Sequence, residues 1–427
     1  MGLHSLGSTF ACACGDTHTL PIERCHTGPD ARALLAQFAK ERLGHTAFIV
    51  SDANTRGLGE ELVRSLANAG KQVAEKSFGS EPLEATDGLG DEVAQAGRDA
   101  DFFVGLGSGT LCDLAKYAGD KLKRPVLLYP TAASMNGYTS SIVALKVRGL
   151  KRTLPCTPAL GVFADPTVAA TAPIRMTAAG VADFLSKASS STDWRAGHYL
   201  RGGYYCERPR EFFEGSQELL LDAAGRVASG DAEAVGVVMD ALLLSGLSMV
   251  VAGSSAPASG GEHLISHYLD MKSALYGLPH DLHGAQVGVG TIHCLQLWEA
   301  ILALDAFDID ACIAAQPDLE SVEAWVREDW GPVADEVLAQ WRQKAVGPEA
   351  LRAELERVRA GLPELRGLLA KDLLPSDVVR RAIQDAGGPV TPETLTAPAE
   401  EYRRALRFAR FIRNRFTVLD LAAELGL

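Results

Sequence analysis

The chain has 427 residues, 47% hydrophobic and 22% charged. That is an ordinary globular balance, and at about 100–200 residues per domain it points to two domains. A net charge of −13 argues against a nucleic-acid backbone as partner, and an anionic substrate needs a local basic pocket set against that field.

Met1–Phe10 carries no basic stretch followed by an apolar core, so no signal peptide is expected. The longest apolar run, Ala241–Gly253, is interrupted by Ser245 and Ser248. It is shorter than the roughly 20 residues a bilayer requires and reads as a buried helix, with no membrane insertion. Cys25, Cys112, Cys156, Cys206, Cys294 and Cys312 are scattered and read as reduced core thiols. Cys12 and Cys14, followed by His18, have the makings of a small metal site. One C-x-C without a second cysteine pair is more often structural.

Strand and helix signals alternate through the first part. Ala47–Ser51 is a short apolar strand ending at Asp52, and Leu58–Ala69 is amphipathic and stopped by Gly70. Gln72–Ser77 reads as strand, Leu83–Gly97 as helix, Asp101–Val104 as strand, Leu111–Ala118 as helix and Pro125–Tyr129 as strand. The alternation predicts an α/β domain, a Rossmann-like parallel sheet with helices on both faces, over residues 1–172. From Pro173 apolar residues recur at helical spacing, as in Ala178–Lys187, Gln217–Val227, Ala232–Val251 and Leu351–Leu362. An all-α domain is expected over 173–427, with Asp305–Asp318 and Pro363–Ala399 as less regular connections.

Gly105-Leu106-Gly107-Ser108-Gly109-Thr110 lies between a strand and a helix signal. Glycines permit a sharp turn and close approach to a phosphate, and the helix N-terminus behind them offers N–H groups. The spacing is not G-x-G-x-x-G, so a tight strand–helix turn is an equal reading. Asp113 and Lys116 in the following helix read as a surface ion pair.

Four of the ten histidines, His263, His267, His280 and His283, lie within 21 residues. His263 and His267 share a helix face. An open catalytic metal site takes three protein ligands, so two of these histidines need one carboxylate. Asp165, Asp183, Asp193, Glu262 and Asp270 all compete for that place.

The set GLGSGTLCDLAK (105–116), PTAASMNGYTSS (130–141), GVADFLSK (180–187), GEHLISH (261–267) and HGAQVGVGT (283–291) is similar to the superfamily of iron-dependent alcohol dehydrogenases, glycerol dehydrogenases and dehydroquinate synthases. Within it, Ser134–Tyr138, Thr192–Arg195, Tyr204–Glu207 and IRNRFTVLDLA (412–422) resemble sn-glycerol-1-phosphate dehydrogenases. The resemblance implies a dehydroquinate synthase-like fold and metal- and NAD(P)-dependent reduction of dihydroxyacetone phosphate to sn-glycerol 1-phosphate. It also implies a cytoplasmic homo-oligomer.

Carried onto this chain, it implies Asp183, His263 and His283 as ligands of one divalent metal (zinc, iron or nickel), with His267 beside the substrate and His280 local. Gly107, Ser108, Gly109 and Asp113 would serve the cofactor at its pyrophosphate end, Asp52 at the adenosine ribose, and Thr131, Ser134 and Tyr138 at the nicotinamide. Lys151 and Arg152 are candidates for the substrate phosphate. Asn136 stands where relatives commonly carry an aspartate near the substrate hydroxyls; an amide still hydrogen-bonds but carries no charge and is no base. Three alternatives remain: a dehydrogenase of another polyol or polyol phosphate, a dehydroquinate synthase-like cyclase using NAD transiently, and a non-catalytic cofactor-binding homologue. The cyclase is opposed by the missing Gly-Gly-Lys and Gly-Lys-Asn signatures.

Overall fold

Phe102–Gly107 is a strand buried on both faces along its whole length, as a continuous apolar run predicts for the middle of a parallel sheet. It lies inside a six-stranded sheet whose order is Arg24–Thr27, Gly161–Ala164, Val126–Pro130, Phe102–Gly107, Thr46–Asp52, Gln72–Phe78. Every neighbouring pair is parallel. The computed structural model describes residues 5–81, 83–147 and 150–427, giving the backbone alone at 150 and 151.

The expected strands and helices of the first part are all present, with ends shifted by a few residues: helices span Arg56–Asn68, Asp87–Ala96 and Gly109–Leu122. Six further strands, the helix Ala31–Arg42 and the short helix Pro166–Ala169 were not anticipated. Two of the strands, Arg24–Thr27 and Gly161–Ala164, complete the sheet; each is only four residues long, too short for a periodicity to register. An N-terminal hairpin pairs Ser8–Ala11 with Thr17–Leu20. A second pairs Ile142–Val147 with Leu150–Pro155.

Two compact units divide the chain. The first is Met1–Phe184, Glu207–Ser254 and Asp385–Gly388; the second is Leu185–Cys206, Ser255–Gln384 and Pro389–Leu427. This cut differs from the 1–172 and 173–427 division read from texture. Texture registers the change from strand to helix, whereas helix Ala232–Ala252 packs against Arg24–Thr27 and Pro166–Ala169 in the first unit. That helix has 21 residues and is long and apolar enough to cross a membrane, contrary to the shorter run expected. Of its most apolar window, 78% is buried inside the protein.

The second unit is helical among its described residues. One expectation fails there. Helix Pro348–Leu369 runs straight through Pro363, where an irregular connection was expected. Proline removes one helical hydrogen bond, but Leu362, Leu365 and Leu369 bury the same face on both sides of it. Arg366 anchors the far end, donating to the Leu302 and Leu304 carbonyls at 2.6 and 3.0 Å. Helix Ser376–Asp385 and the short helix Ile309–Ala314 also lie in spans read as irregular.

The closest backbone approach near the candidate site lies within the first unit. A Cβ placed on Gly180, in helix Ile174–Leu185, would stand 2.0 Å from the Ala133 carbonyl oxygen. Helix propensity alone favours alanine over glycine by about 1 kcal/mol. Packing reverses that sign, because backbone cannot yield as a side-chain tip does. Gly180→Ala should therefore destabilise the protein by about 1–3 kcal/mol, read as a lower urea midpoint with an unchanged slope.

Candidate active site

In the first unit, the chain runs outward from Thr46–Asp52 to Gln72–Phe78, then returns to Phe102–Gly107 on the other side. Such a reversal of strand order opens a ligand crevice beyond the strand ends. Asp52 and the glycine loop stand at those two ends. Asp52 caps the turn Ala53–Thr55, accepting from the Thr55 N–H and hydroxyl at 3.0 Å each. Gly107 has φ +147°, and a Cβ there would meet the Leu111 Cδ1 at 2.2 Å. Glycine is thus required at 107 by the turn itself, and a bulky substitution tests folding rather than cofactor contact. Ser108 precedes helix Gly109–Leu122 without its side chain capping it, leaving that helix terminus in the form that suits an anion.

Asp113 and Lys116 are not a surface pair: both are buried. Asp113 accepts from the Ala144 N–H at 3.1 Å. Lys116 donates to the Gly137 and Ile142 carbonyls at 2.8 and 2.7 Å. They hold the segment leading into the second hairpin. Helical spacing alone did not reveal that this helix is buried on both sides.

Thr131 donates its N–H to the Gly107 carbonyl at 3.0 Å, stitching two strand ends together. The Ser134 hydroxyl lies 3.2 Å from that of Tyr138. Tyr138 is fully buried, its hydroxyl donating to the Ala132 carbonyl at 2.7 Å. Burial raises its phenol above the usual range. Tyr138 therefore shapes the loop from inside.

Asn136 donates its backbone N–H to Asp183 Oδ2 at 3.1 Å and its amide to Oδ1 at 3.4 Å. Ser245 Oγ lies 3.4 Å from the same amide nitrogen. Asp183 is fully buried, and its two carboxylate oxygens are both engaged by one residue. Of the competing carboxylates, Asp165 is spent on capping, accepting from Thr167 N–H and hydroxyl at 2.8 and 2.7 Å. Arg152 is exposed in strand Leu150–Pro155. Lys151 follows Leu150 in the same strand, opposite Lys146; its side chain lies outside the described residues.

In the second unit, helices Gly261–Tyr276 and His283–Leu302 bring three imidazoles together. Ring centroids are 5.1 Å apart for His263 and His283, 5.6 Å for His267 and His283, and 6.1 Å for His263 and His267. His263 Nδ1 lies 2.8 Å from Glu262 Oε1. A carboxylate only accepts, so His263 Nδ1 carries the proton. His283 Nδ1 lies 3.2 Å from Ser266 Oγ, a contact that holds the ring. His280 is local, its Nδ1 at 3.0 Å from Ser273 Oγ.

Glu262 is held from several sides. It also accepts from the Gly260 N–H at 2.6 Å and Ser189 Oγ at 2.8 Å. Burial raises its pKa, but the His263 hydrogen bond and charge outweigh this and hold the carboxyl below its ordinary range. Asp193 is raised well above, first by burial and then by Glu262. It accepts from Gly261 N–H at 2.8 Å, Trp298 Nε1 at 2.8 Å and Val418 N–H at 3.1 Å. Asp270 accepts from Gln286 Nε2 at 3.0 Å. Even so, His267, Asp270 and His283 offer ligand atoms within 4.8 Å of one another, a second possible set that spacing alone did not single out. Ser266 and Gln286 were missed altogether; neither residue type signals such a role from sequence.

A family model of iron-containing alcohol dehydrogenases matches residues 26–173. The chain is 31% identical over 424 residues to glycerol-1-phosphate dehydrogenase [NAD(P)+] of Geobacillus stearothermophilus, covering 97% of this chain and 96% of that one. Among solved structures it resembles a sulfoacetaldehyde reductase from Bifidobacterium kashiwanohense in complex with NAD+ (TM-score 0.61, 15% identity, 95% and 96% of the two chains). It also resembles a probable glycerol dehydrogenase from Sinorhizobium meliloti 1021 (TM-score 0.53, 21% identity, 86% and 96%). These likenesses carry the fold, an α/β parallel-sheet region followed by a mostly helical one. The near-full-length match carries more: the chain belongs to the glycerol-1-phosphate dehydrogenase family.

Proposed function

We propose that this protein reduces dihydroxyacetone phosphate to sn-glycerol 1-phosphate with NADH or NADPH and one divalent metal. The observation that carries the reading is the convergence of His263 and His283, whose ring centroids lie 5.1 Å apart. Asp183 is proposed as the third ligand. It stands two residues before the chain enters the second unit, and two imidazoles with a carboxylate make a donor set that accepts iron, zinc or nickel.

When bound, the metal and the nicotinamide supply Lewis-acid polarisation of the ketone and a hydride to its carbon. The chain's own residues do the rest. Glu262 and Ser266 fix the ring orientations, and Asn136 holds the Asp183 carboxylate. His267, one helical turn beyond His263, delivers a ring proton to the substrate oxygen as the carbonyl becomes an alcohol. The uncapped N-terminus at Gly109 takes the cofactor pyrophosphate, Thr131 and Ser134 frame the nicotinamide end, and Asp52 faces the adenosine ribose. Lys151 and Arg152 receive the substrate phosphate. The same reading makes the enzyme a cytoplasmic homo-oligomer.

Groups that orient metal-bound imidazoles typically contribute 10–100-fold in affinity or activity. Glu262→Gln should thus weaken metal binding by about 10–100-fold, measured by competition with a chromophoric chelator. Unchanged affinity would show that Glu262 serves the fold alone.

Substrate choice is tested by NADH oxidation with dihydroxyacetone phosphate and with dihydroxyacetone, before and after metal removal. Turnover should favour the phosphorylated ketone and disappear with the metal. A preference for the unphosphorylated ketone overturns the assignment. A lost charge-assisted hydrogen bond removes about 1.5–3 kcal/mol. Lys151→Ala or Arg152→Ala should accordingly raise KM for dihydroxyacetone phosphate about tenfold to hundredfold and leave dihydroxyacetone nearly unaffected. Equal loss on both substrates would remove that residue from the phosphate site.

A further inference from the structure

The N-terminal hairpin carries a second set of metal donors. Ser8–Ala11 and Thr17–Leu20 pair antiparallel, with Phe10 opposite His18. Between them the chain turns tightly: Cys12 N–H donates to the Asp16 carbonyl at 2.9 Å, and Gly15 N–H to the Cys12 carbonyl at 3.1 Å. Gly15 sits at φ +95°, a conformation open to glycine. The turn folds the Cys14 sulfur back to 3.4 Å from His18 Nε2. The ligand atoms of Cys12, Cys14 and His18 all lie within 4.8 Å of one another.

That geometry suits a tetrahedral ion. Zinc bonds of about 2.3 Å to sulfur and 2.0–2.1 Å to nitrogen place neighbouring ligand atoms roughly 3.5 Å apart. His18 is only 6% exposed, and its ring packs against Phe10 at 5.7 Å, which holds it in place. The cysteines form no disulfide. The Arg208 guanidinium interacts with the Cys12 sulfur, so a positive charge stands beside the cluster.

We propose that Cys12, Cys14 and His18 supply three ligands of a bound zinc ion, separate from the histidine centre. Each coordinating thiol gives its proton to solvent on binding. Two thiolates and a neutral imidazole balance the charge of the ion. The ion braces the hairpin at its turn, a constraint that two four-residue strands do not supply alone.

The test uses the full-length protein. Reconstituted with cobalt(II), the wild type should show a sulfur-to-cobalt charge-transfer band, which a centre of imidazoles and a carboxylate cannot produce. The band should vanish in Cys12→Ser/Cys14→Ser and persist in His263→Ala. Zinc-loaded wild type should hold two ions per chain by elemental analysis, and the cysteine variant one. No charge-transfer band in the wild type, which requires no variant to fold, overturns the site. So does a band that survives the double substitution.

Discussion

The second unit turns on one buried carboxylate. Asp193, in helix Lys187–Arg201, receives hydrogen bonds from three other segments: the start of the helix bearing His263 and His267, Trp298 on the helix that begins at His283, and Val418 near the C-terminus. A carboxyl group taken out of water is costly unless hydrogen-bonded, and three donors are the compensation. Its position at the N-terminus of Gly261–Tyr276 also suits the helix dipole. The same hub explains two motif groups that otherwise look unrelated. Trp194 donates to the Tyr204 carbonyl at 2.7 Å and packs on Tyr205, while Arg195 pairs with Asp372 at 2.7 Å. Arg415 of the C-terminal motif donates to the Ser255 hydroxyl at 3.1 Å and to the Ser259 carbonyl, bracing the loop that leads into Gly260.

The first unit makes a comparable investment in one loop. The Gly180 approach to Ala133 sets the spacing that lets Asn136, three residues on, meet Asp183, three residues on in its own helix. This gives the asparagine a physical role. An amide donates to a carboxylate, whereas an aspartate at 136 would set a second carboxylate against Asp183 and raise the pKa of one of them. In this chain the residue acts as a donor that orients Asp183, which a carboxylate could do only when protonated.

Much of this was legible in the sequence, for identifiable reasons. The central strands were readable because burial on both faces makes them continuous apolar runs, as at Phe102–Val104. The histidine pair at 263 and 267 was readable because helix periodicity is strong over GEHLISH. What escaped was set by tertiary contact. Asp113 and Lys116 have surface-like spacing, and only the packing of their helix shows them buried. Pro363 looked like a helix end because local propensity opposed it, and leucines on both sides prevailed. Tyr138 sat inside a motif assigned to the cofactor, yet its hydroxyl closes on Ala132. The choice between Glu262 as ligand and Glu262 as orienting group depended on a 2.8 Å contact that spacing cannot encode.

One metal is proposed to bind at His263 and His283 with Asp183, not at the alternative set of His267, Asp270 and His283. Anomalous diffraction at the absorption edge of the bound metal, from crystals of the metal-loaded enzyme, decides between them. The expected peak lies about 2.0–2.2 Å from His263 Nε2, His283 Nε2 and a carboxylate oxygen of Asp183 if the ion is zinc. A peak bonded to His267 and Asp270, with His263 Nε2 uncoordinated, would contradict it.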